Sequence, residues 1–199
     1  MGVIEKALLF ASAAHEGQTR KMNGLPFILH PMEAAVIVSE MCTDEDVIAA
    51  ALLHDAVEDT SVTLDDVRKE FGTRICRLVE KESENKRNGL PRSSTWCIRK
   101  QESVEKIRTA SPEAKMIALA DKLSNMRSIY HEYQLHGDEV FNKFNMKDKK
   151  MHCWYYCSMA ENLREFSSSC AWQELADLIL KVFGKDIRQE AVSLHDNQI

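Results

Sequence analysis

No stretch of the sequence approaches 18 uninterrupted apolar residues, so no transmembrane helix is expected. A surplus of positive charge is missing as well. The 26 Lys and Arg stand against 31 Asp and Glu, giving a net charge of −5, so bulk electrostatics draw the chain neither to nucleic acid nor to an anionic membrane. A nucleotide substrate is not excluded, because a metal ion and a few local Lys or Arg can hold phosphates. The N-terminus, MGVIEKALLF, lacks an apolar core followed by small cleavage-site residues, and Lys6 stands where the myristoylation pattern requires Ser or Thr. A cytoplasmic protein is expected. Strand-like alternation, internal repeats and low-complexity tracts are also absent. Glycine and proline are scarce, at 7 and 4, and gather at a few breaks.

The six cysteines, Cys42, Cys76, Cys97, Cys153, Cys157 and Cys170, are scattered among apolar or helical residues and read as reduced thiols. Cys153 and Cys157 lie one helical turn apart beside His152, but no second ligand pair follows at zinc-site spacing.

What remains is helical almost throughout. In VIEKALLFASAAHEG, Ile4, Leu8, Ala11 and Ala14 share a face, with Gly17 as a stop. GQTRKMNGLPFILHP breaks the pattern as a loop. Pro31 opens a second helix, and Thr43 or Asp44 caps a third that runs through DEDVIAAALLHDAVED. Shorter helices follow over 63–72 and across RICRLVEKES. The polar segment 84–95 reads as a loop. Helices resume at Trp96 and at Ser111-Pro112, an N-cap followed by a first-turn proline; a long helix around 138–166 and another around 171–183 close the chain. The expectation is an all-α, single multi-helix bundle.

The third helix carries the chemistry. Asp55, Glu58 and Asp59 stand at i, i+3 and i+4, and His54 lies four residues before Glu58, so all project over a common sector. Carboxylates that close repel one another unless a cation or a substrate charge compensates. The bland alternative is a solvated acidic helix end, which the apolar residues around the motif oppose. His30 in FILHP can be a capping or core histidine, and Asp121 in MIALADKLSNM is an acid within an apolar helical run that requires a partner. Together, His30, His54, Asp55 and Asp121 form a mixed nitrogen and oxygen ligand set. It suits Mn²⁺, Fe²⁺ or Zn²⁺ better than Mg²⁺ or Ca²⁺. The cysteines and serines have no base partner evident in sequence, which disfavours acyl-type catalysis.

The order H…HD…D, with HDAVED at its centre, resembles the HD superfamily of metal-dependent phosphohydrolases. More narrowly, RKMNGLPFILHP, AALLHDAVEDT and ALADKLSNMR resemble the hydrolase domain of the Rel/Spo stringent-response enzymes. The resemblance runs in order over roughly 1–165 of a single domain spanning 1–199, with 166–199 as a C-terminal helical extension. No nucleotidyl-synthetase segment follows, so the expectation narrows to the stand-alone small alarmone hydrolases. The resemblance implies one Mn²⁺ ion, or another divalent transition metal, and removal of the 3′-pyrophosphate from ppGpp or pppGpp. It implies His30, His54, Asp55 and Asp121 as metal ligands, and Glu58 and Asp59 as the pair that positions and deprotonates water.

For the substrate it implies Arg20 and Lys21 beside the nucleobase, Asn125 on the nucleoside, and Lys122 next to Asp121. Lys86, Arg92, Arg99 and Lys100 form a basic cluster suited to a pyrophosphate leaving group, and Tyr155 with Lys150 a turn earlier aligns loosely with a family pair. Three departures bear on specificity. Asn85 stands where relatives place an acid, Ser124 where His or Tyr is common, and 87–97 is longer than in the animal enzymes. The alternatives are a phosphatase of another phosphorylated nucleotide, such as NADPH or a nucleoside monophosphate, at the same metal site, and a non-catalytic nucleotide sensor. The expected partner is a small guanine nucleotide rather than nucleic acid or membrane, with assembly into a homo-oligomer left open.

Overall fold

The structure, a computed structural model, describes residues 1–83, 87 and 89–188. Among these residues there are nine α-helices and no strand: α1 Val3–Ala14, α2 Leu29–Met41, α3 Glu45–Leu53, α4 Ala56–Asp59, α5 Leu64–Glu82, α6 Arg92–Arg108, α7 Pro112–His136, α8 Lys149–Asn162 and α9 Cys170–Phe183. An isolated β-bridge pairs Thr19 with Pro26. No described helix is long and apolar enough to cross a membrane.

α3 is the innermost helix. Its residues Val47 to Leu53 are all buried, as expected of a helix that is apolar on every side. Asp44 caps it by accepting a hydrogen bond from the Asp46 backbone N–H at 3.0 Å. Truncating a side chain as enclosed as Leu53, which is fully buried, to alanine would cost about 2–5 kcal/mol. α7 is the long spine. Ser111 caps it, Pro112 occupies its first turn, and its 25 residues extend about 37 Å. It packs against α2, α3, α5 and α9, while α8 bridges α6 and α9. The C-terminal helix is therefore part of the core. Trp172 and Leu175 are buried, and the Trp172 indole N–H donates to the Ala160 carbonyl at 2.9 Å.

Four boundaries differ from the sequence expectation. The helix expected over 44–59 stops at Leu53 and resumes as the short α4, leaving His54 and Asp55 in the joint. The two helices expected over 63–83 join as α5 across Gly72, whose φ of 83° forms a kink that a side chain would strain. α6 begins at Arg92, inside the expected loop 84–95. The helix expected over 138–166 is a 3₁₀ turn, Gly137–Lys143, followed after a break by α8, because the chain must turn between α7 and α8. Residues 84–86, 88 and 189–199, including four residues of the expected loop and part of the C-terminal extension, lie outside the described residues.

Candidate active site

The break between α3 and α4 shapes the site. Asp55 has φ −94° and ψ −9°, in the sparsely populated bridge region where many active-site residues sit. Its Oδ2 lies 3.4 Å from His30 Nε2 and 3.3 Å from His54 Nε2. On α7, Asp121 Oδ1 lies 3.1 Å from His30 Nε2 and 3.8 Å from His54 Nε2. Three elements thus converge: His30 from α2, the joint residues His54 and Asp55, and Asp121 from α7. Both rings and Asp121 are buried.

The proton positions on the two rings follow from their outer partners. The Ala51 carbonyl, 2.7 Å from His54 Nδ1, can only accept, so Nδ1 carries the hydrogen. Ser124 Oγ donates to Glu33 Oε2 at 2.7 Å, so it accepts from His30 Nδ1 at 2.8 Å. When neutral, each ring therefore turns an Nε2 lone pair inward, the tautomer of a metal-ligating histidine held by an outer partner. His54 Nε2 is buried and, among the described residues, closes no hydrogen bond. Ligand atoms of His30, His54 and Asp121 all fall within 4.8 Å of one another. Inward lone pairs facing carboxylate oxygens repel one another without a positive charge between them. The donor set therefore fits a divalent cation that accepts imidazole and carboxylate.

Electrostatics agree. Burial alone would favour the neutral His54 ring, but Asp55 and Asp121 outweigh it and hold its pKa well above the ordinary value. Burial likewise works against the charged form of Asp121, yet Lys122 and the two histidines keep its carboxyl well below the usual range. The site draws positive charge inward. An ion can satisfy that demand in place of a proton on His54 Nε2.

The cluster opens on a cavity of about 560 Å³. Glu58 and Asp59, on α4, line it and are part-buried. α4 is tethered from the first loop: Gln18 donates to the Asp59 carbonyl at 2.7 Å and pairs with His15 at 2.9 Å. That same loop folds back on itself, with Arg20 N–H donating to the Leu25 carbonyl and Phe27 N–H to Gln18, and so presents Arg20 and Lys21 to the cavity. Arg20 Nη2 donates to Ser128 Oγ at 2.8 Å and reaches Asn125 Oδ1 at 3.5 Å, while Asn125 Nδ2 donates to Asp121 Oδ1 at 2.5 Å. Lys122 pairs with the other oxygen of Asp121.

The facing wall comes from α6 and α8. Arg92, Arg99, Lys100 and Tyr155 line it. Tyr155 is buried, with Lys100 Nζ 4.7 Å and Lys122 Nζ 5.6 Å from its ring centre, and its hydroxyl has no hydrogen-bond partner among the described residues. The structure does not bring every sequence candidate here. Lys150 is exposed on the first turn of α8 and is not among the cavity-lining residues. Lys86 lies outside the described residues.

Several lining or supporting residues were not singled out from sequence. Trp96 and His152 pack in the wall, and Glu82 reaches the cavity from the end of α5. Burial, with Asp121 acting in the same direction, pushes the Glu82 carboxyl up to about 7 against the opposing pull of Lys122. Glu33 orients His30 through Ser124, which the sequence marked only as a departure from relatives. The available signal was Glu33 standing one turn after His30 on the same helix.

Among known proteins, the family model described as HD domain matches residues 7–148. The chain is 44% identical over 123 residues to guanosine-3′,5′-bis(diphosphate) 3′-pyrophosphohydrolase MESH1 of Mus musculus, covering 60% of this chain and 65% of that protein. It is 39% identical over 127 residues to the protein of the same name from Drosophila melanogaster, covering 62% and 68%. In three dimensions it is similar to a metazoan ortholog of SpoT that hydrolyzes ppGpp and plays a role in starvation responses, with a TM-score of 0.72 and 29% identity over 91% of this chain and 95% of the other. A crystal structure from Listeria monocytogenes EGD-e superimposes with a TM-score of 0.67 and 33% identity, over 78% and 94%. The chain thus spans just under two thirds of the mouse relative's length.

Proposed function

This chain belongs to the HD-domain family, and from that premise we propose that it is a cytoplasmic, metal-dependent hydrolase removing the 3′-pyrophosphate of ppGpp or pppGpp to give GDP or GTP and pyrophosphate. The observation that carries this reading is the His30–His54–Asp55–Asp121 cluster, buried but for the part-buried Asp55 and set in a cavity that also presents Arg20, Arg99, Lys100 and Lys122. The activity for which the mouse and fly relatives are named supports it.

In this reading His30 and His54 supply Nε2, and Asp55 and Asp121 supply carboxylate oxygens, to one Mn²⁺. That ion contributes a lowered pKa for water and polarisation of a phosphoryl oxygen. Glu58 and Asp59, on the turn immediately after Asp55, orient the water and take its proton as it attacks the phosphorus next to the ribose 3′-oxygen. The phosphorus–oxygen bond to the ribose breaks, the 3′-oxygen keeps the electron pair and gains a proton, and pyrophosphate departs. Arg99, Lys100 and Lys122 offset the charge of the departing group. Arg20, braced by Ser128 and Asn125, offers a planar guanidinium to the purine, and Lys21 meets a phosphate at the exposed rim. The unpartnered Tyr155 hydroxyl is a donor available to a phosphate oxygen.

The test is product identification. Protein loaded with Mn²⁺ is incubated separately with ppGpp, pppGpp, NADPH and a nucleoside monophosphate. GDP or GTP with pyrophosphate is expected from the first two. Untouched alarmones alongside phosphate release from NADPH or the monophosphate would overturn the assignment and leave the metal chemistry standing.

A further inference from the structure

Outside the catalytic cluster, two nucleophilic side chains meet. Cys153 and Cys157 stand one turn apart on α8, both part-buried, with their sulfurs 3.9 Å apart. The residues between them are Trp154, Tyr155 and Tyr156. Tyr155 and Tyr156 are buried in the cavity wall, and Trp154 is exposed, so this turn touches the cavity on one side and solvent on the other. By contrast Cys97 and Cys170 are exposed, and Cys76 is buried.

We propose that Cys153 and Cys157 are a redox-modification site, at which a peroxide-class oxidant closes an intrachain disulfide across one turn of α8 and displaces Tyr155 and Tyr156 from the cavity wall. The geometry permits bond formation and makes it consequential. An i to i+4 step in a helix separates Cα atoms by about 6 Å, within the range a disulfide spans. Helical Cβ atoms at that spacing lie roughly 5–6 Å apart, whereas a disulfide needs about 3.5–4.5 Å. Closure must therefore draw the two ends of the turn together by about 1–2 Å, and the residues between them move with it. The strain also makes the bond easy to reduce, which is the property of a reversible site rather than a structural one.

The chemistry balances with the oxidant named. One thiolate attacks hydrogen peroxide; an S–O bond forms, the O–O bond breaks, and hydroxide leaves as water, giving a sulfenic acid. The second sulfur then attacks the first. An S–S bond forms, the S–O bond breaks, and a second water departs with the remaining thiol proton. Two thiols lose two electrons to the peroxide, and two waters result.

The test treats the full chain with hydrogen peroxide, then digests it without reductant and weighs the peptide holding both cysteines. The expected product is lighter by two hydrogens and is restored by dithiothreitol. Near-UV circular dichroism in the tyrosine band should change and revert with it, and Cys157→Ser should show neither change. This readout is independent of catalysis. The activity arm alone rests on the proposed alarmone reading: KM for ppGpp should rise several-fold in the oxidised wild type and not in Cys157→Ser. Peroxide that oxidises Cys97 and Cys170 while the 153–157 peptide stays a dithiol overturns the site. A disulfide that forms with an unchanged tyrosine signal overturns the link to the cavity. A protein inert toward ppGpp in every state overturns the alarmone reading, while mass and dichroism still decide this one.

Discussion

The two sides of the cavity are built differently. On the side of α2, α3, α4 and α7, the polar atoms are short-armed and held from behind: His54 by the Ala51 carbonyl, His30 by Ser124, Asp121 by Lys122 and Asn125. On the side of α6 and α8, the groups are long basic side chains and a tyrosine whose hydroxyl has no hydrogen-bond partner among the described residues. The first side keeps its geometry without a ligand, as a site must if it is to hold an ion and aim a water. The second leaves the Tyr155 hydroxyl to be satisfied by whatever enters. In the proposed reading the first wall would carry the ion and the water and the second would offset the departing pyrophosphate, so substitutions on each should fail in distinct ways.

The sharpest break of that division is Asp121→Ala. Loss of this carboxylate leaves Asp55, among the described residues, as the one carboxylate beside His30 and His54, so bound Mn²⁺ and turnover should fall together, turnover to background, while helicity persists. Metal analysis beside circular dichroism checks it, and a variant that keeps stoichiometric metal removes Asp121 from the ligand set. Next in size, Asp59→Asn and Glu58→Gln should keep the ion and the nucleotide but lose roughly 10²–10⁴-fold in kcat. Metal loss with unchanged kcat per bound ion would show that they are ligands instead.

Ser124→Ala tests the support rather than the cluster. Freed of its partner, the His30 ring loses its fixed tautomer, and Mn²⁺ affinity should weaken by roughly 10–100-fold, measurable by titration without any substrate. On the loop that carries Arg20, tied to α4 and α7, the effects are smaller. Arg20→Lys keeps the charge but gives up the planar face, so KM for ppGpp should rise about 3–30-fold with kcat preserved. A phosphomonoester without a base should be indifferent to it.

The smallest effect belongs to neither wall and serves as a baseline. The Arg74 guanidinium, hydrogen-bonded to Asp44 at 2.6 Å, holds that carboxyl down at about 2 despite a small opposing effect of burial. A carboxyl depressed in the folded state stabilises above its unfolded pKa, near 3.8, and that contribution is lost as pH falls through about 2. Both side chains are roughly half exposed, so solvent screening holds Arg74→Ala to about 0.2–1 kcal/mol at neutral pH. The difference from wild type should shrink in acid, as thermal melts between pH 7 and pH 2 would show, without a change in metal affinity.

The two walls also differ in how far they can be read from sequence. The cluster was legible because an acid such as Asp121, inside an apolar run, is costly without a partner, and few chemistries justify the cost. Helix starts were legible where the cap is local, as at Ser111-Pro112 and Thr63. The break at His54 was not, because AALLHDAVEDT keeps helical spacing through it and only tertiary convergence on His30 and Asp121 requires the turn. Ser124 read as a departure from relatives. Its purpose depends on Glu33, 91 residues away in sequence, which no local pattern connects to it. The long helix expected over 138–166 failed for the same kind of reason, since periodicity does not register the turn that carries the chain from α7 to α8.

That serine has one proton and therefore a direction. Pointed at Glu33, it obliges His30 to present Nδ1–H outward and a bare Nε2 inward. Reversed, it would leave Nδ1 bare, put hydrogen on Nε2 and close that side to an ion. Glu33 is not among the cavity-lining residues, yet it sets which way the arrow runs. Glu33 is itself held by Arg127 at 3.0 Å, and Arg127 by both carboxylate oxygens of Glu174 at 2.7 and 2.6 Å. The far end of this one-way line is on α9, in the stretch that reads from sequence as a mere extension, so the last helix helps decide the polarity of a ring at the centre of the molecule.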